Sequence, residues 1–187
     1  MYLTLHLILS HFLADFPLQS RQLVQYKEKH FLGVLIHSFA HLVISGLLVF
    51  PFSNQPLVWW GIGLIFLVHN LSDQLKISAQ KYVPHWNKFE LYVLDQVIHV
   101  GTIILVSLYL IGPVEATVPL SFTSVFYNQM LMSYLIVLVL GTYFFDVSRW
   151  IFQSGSKNPP YTRDYIMMMI NAMLISVVFA AAYLLKA

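Results

Sequence analysis

The chain has 187 residues, of which 58% are hydrophobic and 10% charged, with a formal net charge of +2 and a mean hydropathy of +0.71. Soluble domains carry about 25% charged residues, so this composition excludes a soluble globular domain and indicates an integral membrane protein. With no cysteine there are no disulfides, thiolate metal ligands or cysteine nucleophiles, and any bound metal must be held by nitrogen and oxygen.

Six apolar stretches are read as membrane helices: Tyr2–Phe16, Phe31–Phe50, Leu57–Leu75, Leu91–Gly112, Met130–Phe152 and Tyr165–Leu185. Most reach the roughly 20 residues needed to cross a hydrocarbon core about 30 Å thick, while the first is short and relies on its polar continuation or on local thinning. It lacks a basic leader, and His11 and Asp15 interrupt its apolar run, so it reads as a retained helix and not a signal peptide. The connection after it carries Arg21, Lys27 and Lys29, and the second stretch carries His37 and His41. Pro51 to Pro56 has no Lys or Arg, and the third stretch closes on His69 and Asp73. From Gln74 to Trp86 lysines alternate with apolar residues, which fits either a short interfacial helix anchored by Tyr82 and Trp86 or a solvated loop.

The fourth stretch opens on Asp95 and His99, and Pro113 to Gln129 again has no Lys or Arg. Between the last two stretches lie Lys157 and Arg163. Basic residues therefore fall on alternate connections, after the first, third and fifth helices. By the positive-inside rule this places three connections in the cytoplasm and both termini outside, with Lys186 the only dissent. No nucleic-acid partner is needed to explain these charges.

Ionisable side chains in hydrocarbon cost roughly 2.5–3.5 kcal/mol each on insertion scales and are functional candidates for that reason. Here they recur in pairs at helical i, i+4 spacing, and the pairs repeat at one offset: 11 to 69, 15 to 73, 37 to 95 and 41 to 99 are each 58 positions apart. The residues around His11 to Gln22 also match those around His69 to Gln80 at Leu, Ser and Gln. The expected architecture is a single all-α domain over 1–187, a polytopic six-helix transmembrane bundle. It is read as two tandem parallel helix-hairpin repeats, about 3–50 and 61–112, followed by helices five and six over about 130–185. Those last helices read as a degenerate third copy, with Thr142, Asp146 and Asn171 as its polar positions.

Residues at i and i+4 project from one helix face about 6 Å apart, so each pair is a two-pronged clamp. Such clamps converging in a bundle core are how helical proteins build metal sites. His11, Asp15, His37, His41, His69, Asp73, Asp95 and His99 are the candidate ligands, and Asp15, Asp73 and Asp95 the candidate general acid/base groups. Nitrogen and oxygen donors suit a divalent metal, Zn first, with Mn or Fe as alternatives. A bound metal would supply activated water at the bilayer surface. Lys76 and Arg149 each follow a carboxylate by three positions and read either as its ion-pair partner or as an anion clamp for substrate. Gln19, Ser38, Ser72 and Gln96 read as supporting hydrogen-bonders. His6, His30 and His85 stand outside the repeated set and read as structural, and Met167, Met168, Met169 and Met173 as packing and lipid-facing residues.

Through His11-Phe-Leu-Ala-Asp15-Phe-Pro-Leu-Gln19, His37-Ser-Phe-Ala-His41, His69-Asn-Leu-Ser-Asp73-Gln-Leu-Lys76 and Asp95-Gln96-Val-Ile-His99, the chain resembles a family of prokaryotic membrane proteins. That family is catalogued as domain of unknown function 3307, and the resemblance covers about Leu3 to Gly112. It implies a bacterial cytoplasmic membrane and no particular activity. A looser likeness is to integral membrane metal-dependent hydrolases. Three functions stay open: a metal-dependent hydrolase acting on a lipid or other amphiphile, an ion- or proton-coupled transporter or its binding subunit, and a scaffold or regulatory subunit with a structural His/Asp network.

Overall fold

The computed structural model describes residues 1–83, 86–115, 117, 125–154 and 161–186, which form helices and turns with no strand among them. Helix α1 spans Tyr2–Asp15 and stops before Pro17, which has no N–H to continue the hydrogen-bond ladder. The connection that follows is itself partly helical, as α2 over Arg21–Lys29. It starts at Ser20, whose Oγ accepts a bond from the Leu23 N–H at 3.2 Å. Helix α3 runs over Phe31–Val49, α4 over Pro56–Tyr82 and α5 over Lys88–Leu105.

Asn87 and Glu90 form a capping box at the start of α5, which satisfies backbone donors reciprocally. At its other end α5 continues as a π-helical segment, Val106–Ile111, and stops at Gly112, whose φ of 73° only glycine adopts freely. Helix α6, Gln129–Val139, passes through a second π segment, Leu140–Phe144, into α7, Phe145–Ser154. Asp164 caps α8, Tyr165–Lys186, through the Met167 N–H at 3.1 Å. That bond and Arg149 hold the Asp164 carboxyl below its ordinary range.

Four helical runs are long and apolar enough to cross a membrane: Phe31–Phe52, Lys88–Ile111, Gln129–Gln153 and Tyr165–Leu185. The other two expected spans differ in kind. Helix α1 has 14 residues and buries nine of them, packed against α3, α5 and α6. Helix α4 is 27 residues long, but polar side chains from His69 onward dilute its apolar run. It also overruns the expected end at Leu75. No glycine or proline falls between Gly63 and Val83, so the segment from Gln74 is the last turns of α4 and not a separate interfacial helix or loop. His85, Lys157 and part of the Pro113 to Gln129 connection lie outside the described residues.

Helices α3 and α4 pack side by side, α5 lies against α4, and α1 lies against α3 and α5. At one end of this group Leu3, Leu7, Val49, Phe52, Val58, Ile62, Ile103, Val106 and Ile111 form an apolar core. Phe12, Phe16, Tyr92 and Val139 form a second apolar cluster that joins α1 and α5 to α6. The polar pairs occupy what remains, at the end of the bundle where α2 lies. Beyond α7, Arg163 donates to the Phe16 carbonyl at 3.3 Å and lies over the Tyr143 ring, which fixes the start of α8 against the end of α1.

Helix α2 reaches α3 through Gly33. A Cβ there would lie 2.5 Å from the Lys27 nitrogen and 2.6 Å from its Cα. Gly33→Ala is therefore expected to push α2 off α3 and to cost about 1–3 kcal/mol, as overpacked cores do. Denaturant unfolding in detergent reads the loss, and amine labelling should find Lys27 newly reactive. An unchanged midpoint would show that α2 does not dock through this contact.

Candidate metal centre

The eight repeated positions come together. Helix α1 presents His11 and Asp15, α3 His37 and His41, α4 His69 and Asp73, and α5 Asp95 and His99, each at i, i+4 on a face turned into the bundle. None is more than 9% exposed. The imidazoles of His41 and His69 lie with ring centroids 3.9 Å apart, those of His69 and His99 4.0 Å apart, and His11 is 5.2 Å from His99. Neutral imidazole is the form that ligates metals, and five rings this close bring their nitrogens within reach of one another.

Asp15 is the hub. Its Oδ1 faces His41 Nε2 at 2.9 Å and His37 Nε2 at 3.1 Å, while its Oδ2 accepts from Gln96 Nε2 at 2.8 Å. Gln96 in turn places its Oε1 3.3 Å from His11 Nε2. Gln19, just beyond the end of α1, orients His37. With its amide oxygen turned to His37 Nδ1 and Lys27 Nζ, each 3.1 Å away, its nitrogen donates to the Asp15 carbonyl at 3.1 Å and all these groups are satisfied. The opposite orientation would set acceptor against acceptor and donor against donor. His37 then donates from Nδ1, and its Nε2 lies 3.1 Å from Asp15 Oδ1.

The other two carboxylates have ammonium partners. Asp73 Oδ2 meets Lys27 Nζ at 2.8 Å, Asp73 Oδ1 lies 3.5 Å from Lys76 Nζ, and Lys76 Nζ is 2.6 Å from Asp95 Oδ2. Among the described residues Asp15 has only imidazole and amide partners. Lys27 is the site residue that sequence reasoning missed, having been assigned to a cytoplasmic connection. The signal was there: Leu23, Val24 and Lys27 share one face of α2, and a lysine on the apolar face of an amphipathic helix needs a carboxylate beneath it.

Three sets of donor atoms lie within 4.8 Å of one another: Asp15, His37, His41 and His69; His11, His69 and His99; and Asp73, Asp95 and His99. Metal–ligand bonds of about 2.0–2.2 Å in a tetrahedron put donor atoms about 3.3–3.6 Å apart, so the 2.9 and 3.1 Å separations at Asp15 need only a small expansion to receive an ion. His69 Nε2, His99 Nδ1 and Asp95 Oδ1 are buried with no hydrogen-bond partner. Such orphans are rare in folded proteins and suit atoms reserved for a cation. A cavity of about 10 Å³ lies beside His11, His69, His99 and Thr102, closed by Ile65, Val68 and Ile103. It has room for about one water.

The candidates for an anion clamp are already engaged. Lys76 is held between Asp73 and Asp95, and Arg149 lies 2.7 Å from Asp164 and 3.7 Å from Asp146. Asp146 belongs to a separate cluster, where it accepts from Tyr161 Oη, and burial together with Asp146 pushes the Tyr161 hydroxyl's pKa up. Asn171 donates to the Gly141 carbonyl at 2.7 Å. Ser72 bonds His99 Nε2, and Asn70 donates to Ser38 at 3.3 Å. His6 lies apart from the cluster, stacked on Phe126 and bonded through Nδ1 to the Tyr2 carbonyl.

A family model described as "Protein of unknown function (DUF3307)" matches residues 3–130, the stretch that contains all eight positions. No curated protein and no solved structure matches the chain.

Gln96 donates to Asp15 Oδ2 from a site with little solvent. Gln96→Leu is expected to leave that oxygen short of a donor and to lower stability by about 1–3 kcal/mol. Equilibrium unfolding in detergent measures this, and a stability equal to wild type would remove Gln96 from the network's support.

Proposed function

We propose that this chain, which belongs to the DUF3307 family, is an intramembrane metal-binding protein that uses its His/Asp centre for metal-dependent hydrolysis at the cytoplasmic leaflet. The observation that carries the reading is at Asp15, where one carboxylate oxygen lies 3.1 Å from His37 Nε2 and 2.9 Å from His41 Nε2, with His69 in the same donor set. A carboxylate oxygen and imidazole nitrogens gathered this closely need a shared cation, a proton or a metal ion. A divalent ion held by Asp15, His37, His41 and His69 answers that need, with Zn the first choice and Mn or Fe as alternatives. Gln19, by fixing the far nitrogen of His37, supplies the outer support that metal-ligating histidines ordinarily have.

Bound there, the ion would supply Lewis acidity and activate water near neutral pH. Asp95, with one buried oxygen that accepts no hydrogen bond, is the residue best placed to take or return a proton. The small cavity beside the histidines cannot hold a substrate, so a lipid, phosphoester or amide would approach from the end covered by α2 and Lys76. We place that end in the cytoplasm of a bacterium and read six crossings, because Arg21, Lys29 and Lys81 surround it while the connection at Phe50–Phe52 has no cation. In that reading α1 completes the bundle from inside and α4 from its side, with Leu64, Leu67, Leu71 and Leu75 facing outward, and the packing of α1 on α3 and of α4 on α5 supports two parallel hairpins.

Transport is the second reading, favoured by buried polar pairs on the far side of the cluster. Ser10 and Ser45 are bonded at 2.9 Å, and Ser107 donates to Thr4 at 3.0 Å. Uptake of metal ions or protons by reconstituted vesicles, lost in Asp95→Asn, would favour this reading over hydrolysis.

Elemental spectrometry of the purified protein is expected to find bound Zn, Mn or Fe. Asp15→Asn should abolish it, and Gln19→Ala should weaken affinity roughly 10- to 100-fold. A protein that neither retains nor takes up these metals would overturn the proposal. The absence of native cysteine allows a clean topology test. A cysteine at Ser53 should react with a membrane-impermeant thiol reagent from outside intact cells, and one at Ser78 only after lysis; the opposite pattern would invert the topology.

A further inference from the structure

The two halves of the centre are not equivalent, and the difference is a matter of charge. Asp73 and Asp95 share the Lys76 ammonium, and Asp73 also receives Lys27. Asp15 has neither. At the position 58 residues before Lys76 stands Leu18, which is 61% exposed. The second half thus carries its cations as side chains, and the first half lacks them. Three buried carboxylates face two ammonium groups, and Asp15 is the one that meets neither, its side-chain partners being imidazoles and the Gln96 amide.

We propose that Lys76 is a resident cation occupying a second metal half-site made by Asp73, Asp95 and His99, so that the native chain takes one divalent ion, at Asp15. This inference rests on the metal reading above and assigns its stoichiometry and its place. An ammonium 2.6 Å from one carboxylate and 3.5 Å from another stands where a second ion would have to bind. The three residues offer ligand atoms within 4.8 Å of one another, and Asp95 Oδ1, 3.7 Å from His99 Nε2, accepts no hydrogen bond. A fixed positive charge there excludes a second cation by occupying its space and by repelling it in a medium with little screening. Lys76 therefore sets the metal count of the centre without touching the first ion's ligand set.

The test is to titrate zinc or manganese into metal-stripped protein in detergent and count bound ions by elemental spectrometry. Wild type should bind one ion per chain, Lys76→Met two, and Lys76→Arg one, because it keeps the charge. Asp95→Asn should still bind one and Asp15→Asn none, which decides the matter even if Lys76→Met does not fold. Two ions in wild type, one ion in folded Lys76→Met, or loss of the ion in Asp95→Asn would each overturn this assignment. No ion in wild type would overturn the metal reading itself, and this inference with it.

Discussion

The rest of the structure depends on one constraint: charged side chains placed in an apolar bundle must neutralise and hydrogen-bond one another, because neither lipid nor water does it for them. Helices α1, α3, α4 and α5 each bring two such residues, and the contacts inside a pair are the long ones, 3.6 Å in α1, 3.8 Å in α4 and 3.7 Å in α5, so the short ones come from other helices. Asp15 of α1 needs His37 and His41 of α3 and Gln96 of α5. Asp73 of α4 needs Lys27 of α2. The polar cluster therefore acts as the joint that sets which helices are neighbours. The apolar core around Phe52 and Ile62 fills the space beyond it.

Much of this was legible in the sequence. The i, i+4 pairs and their common 58-residue offset located all eight clustered positions, because helical periodicity and burial leave little choice about where such pairs point. Less legible was everything set by tertiary contact. The end of α4 was misplaced because hydropathy ends at Leu75 whereas helical hydrogen bonding runs on to Tyr82, with no glycine or proline to stop it. Lys27 looked like an ordinary topogenic charge, since nothing local shows that α2 folds back onto Gly33. Arg149 and Asp146 resembled the main motif by spacing, yet they engage Asp164 and Tyr161.

The short first helix follows from the same arrangement. A helix facing lipid must match the hydrocarbon thickness, but one surrounded by other helices need not. Leu7 of α1 is 1% exposed, and α3, α5 and α6 enclose it. Its polar residues have protein around them on every side. Helix α8 is the opposite case: only 6% of its apolar window is buried, and it carries almost no ionisable residues, as a helix bathed in lipid requires.

The Lys27 to Asp73 pair joins residues 46 positions apart, one on the short helix α2 and one on α4, which is made later. When α2 is synthesised Asp73 does not yet exist, and α3 follows before it does. Contact with Gly33 and Gln19 can seat α2 on α3 early, but its lysine meets Asp73 only once α4 has joined them. The polar centre is in that sense completed out of chain order, the last partner of an early helix being supplied by a later one.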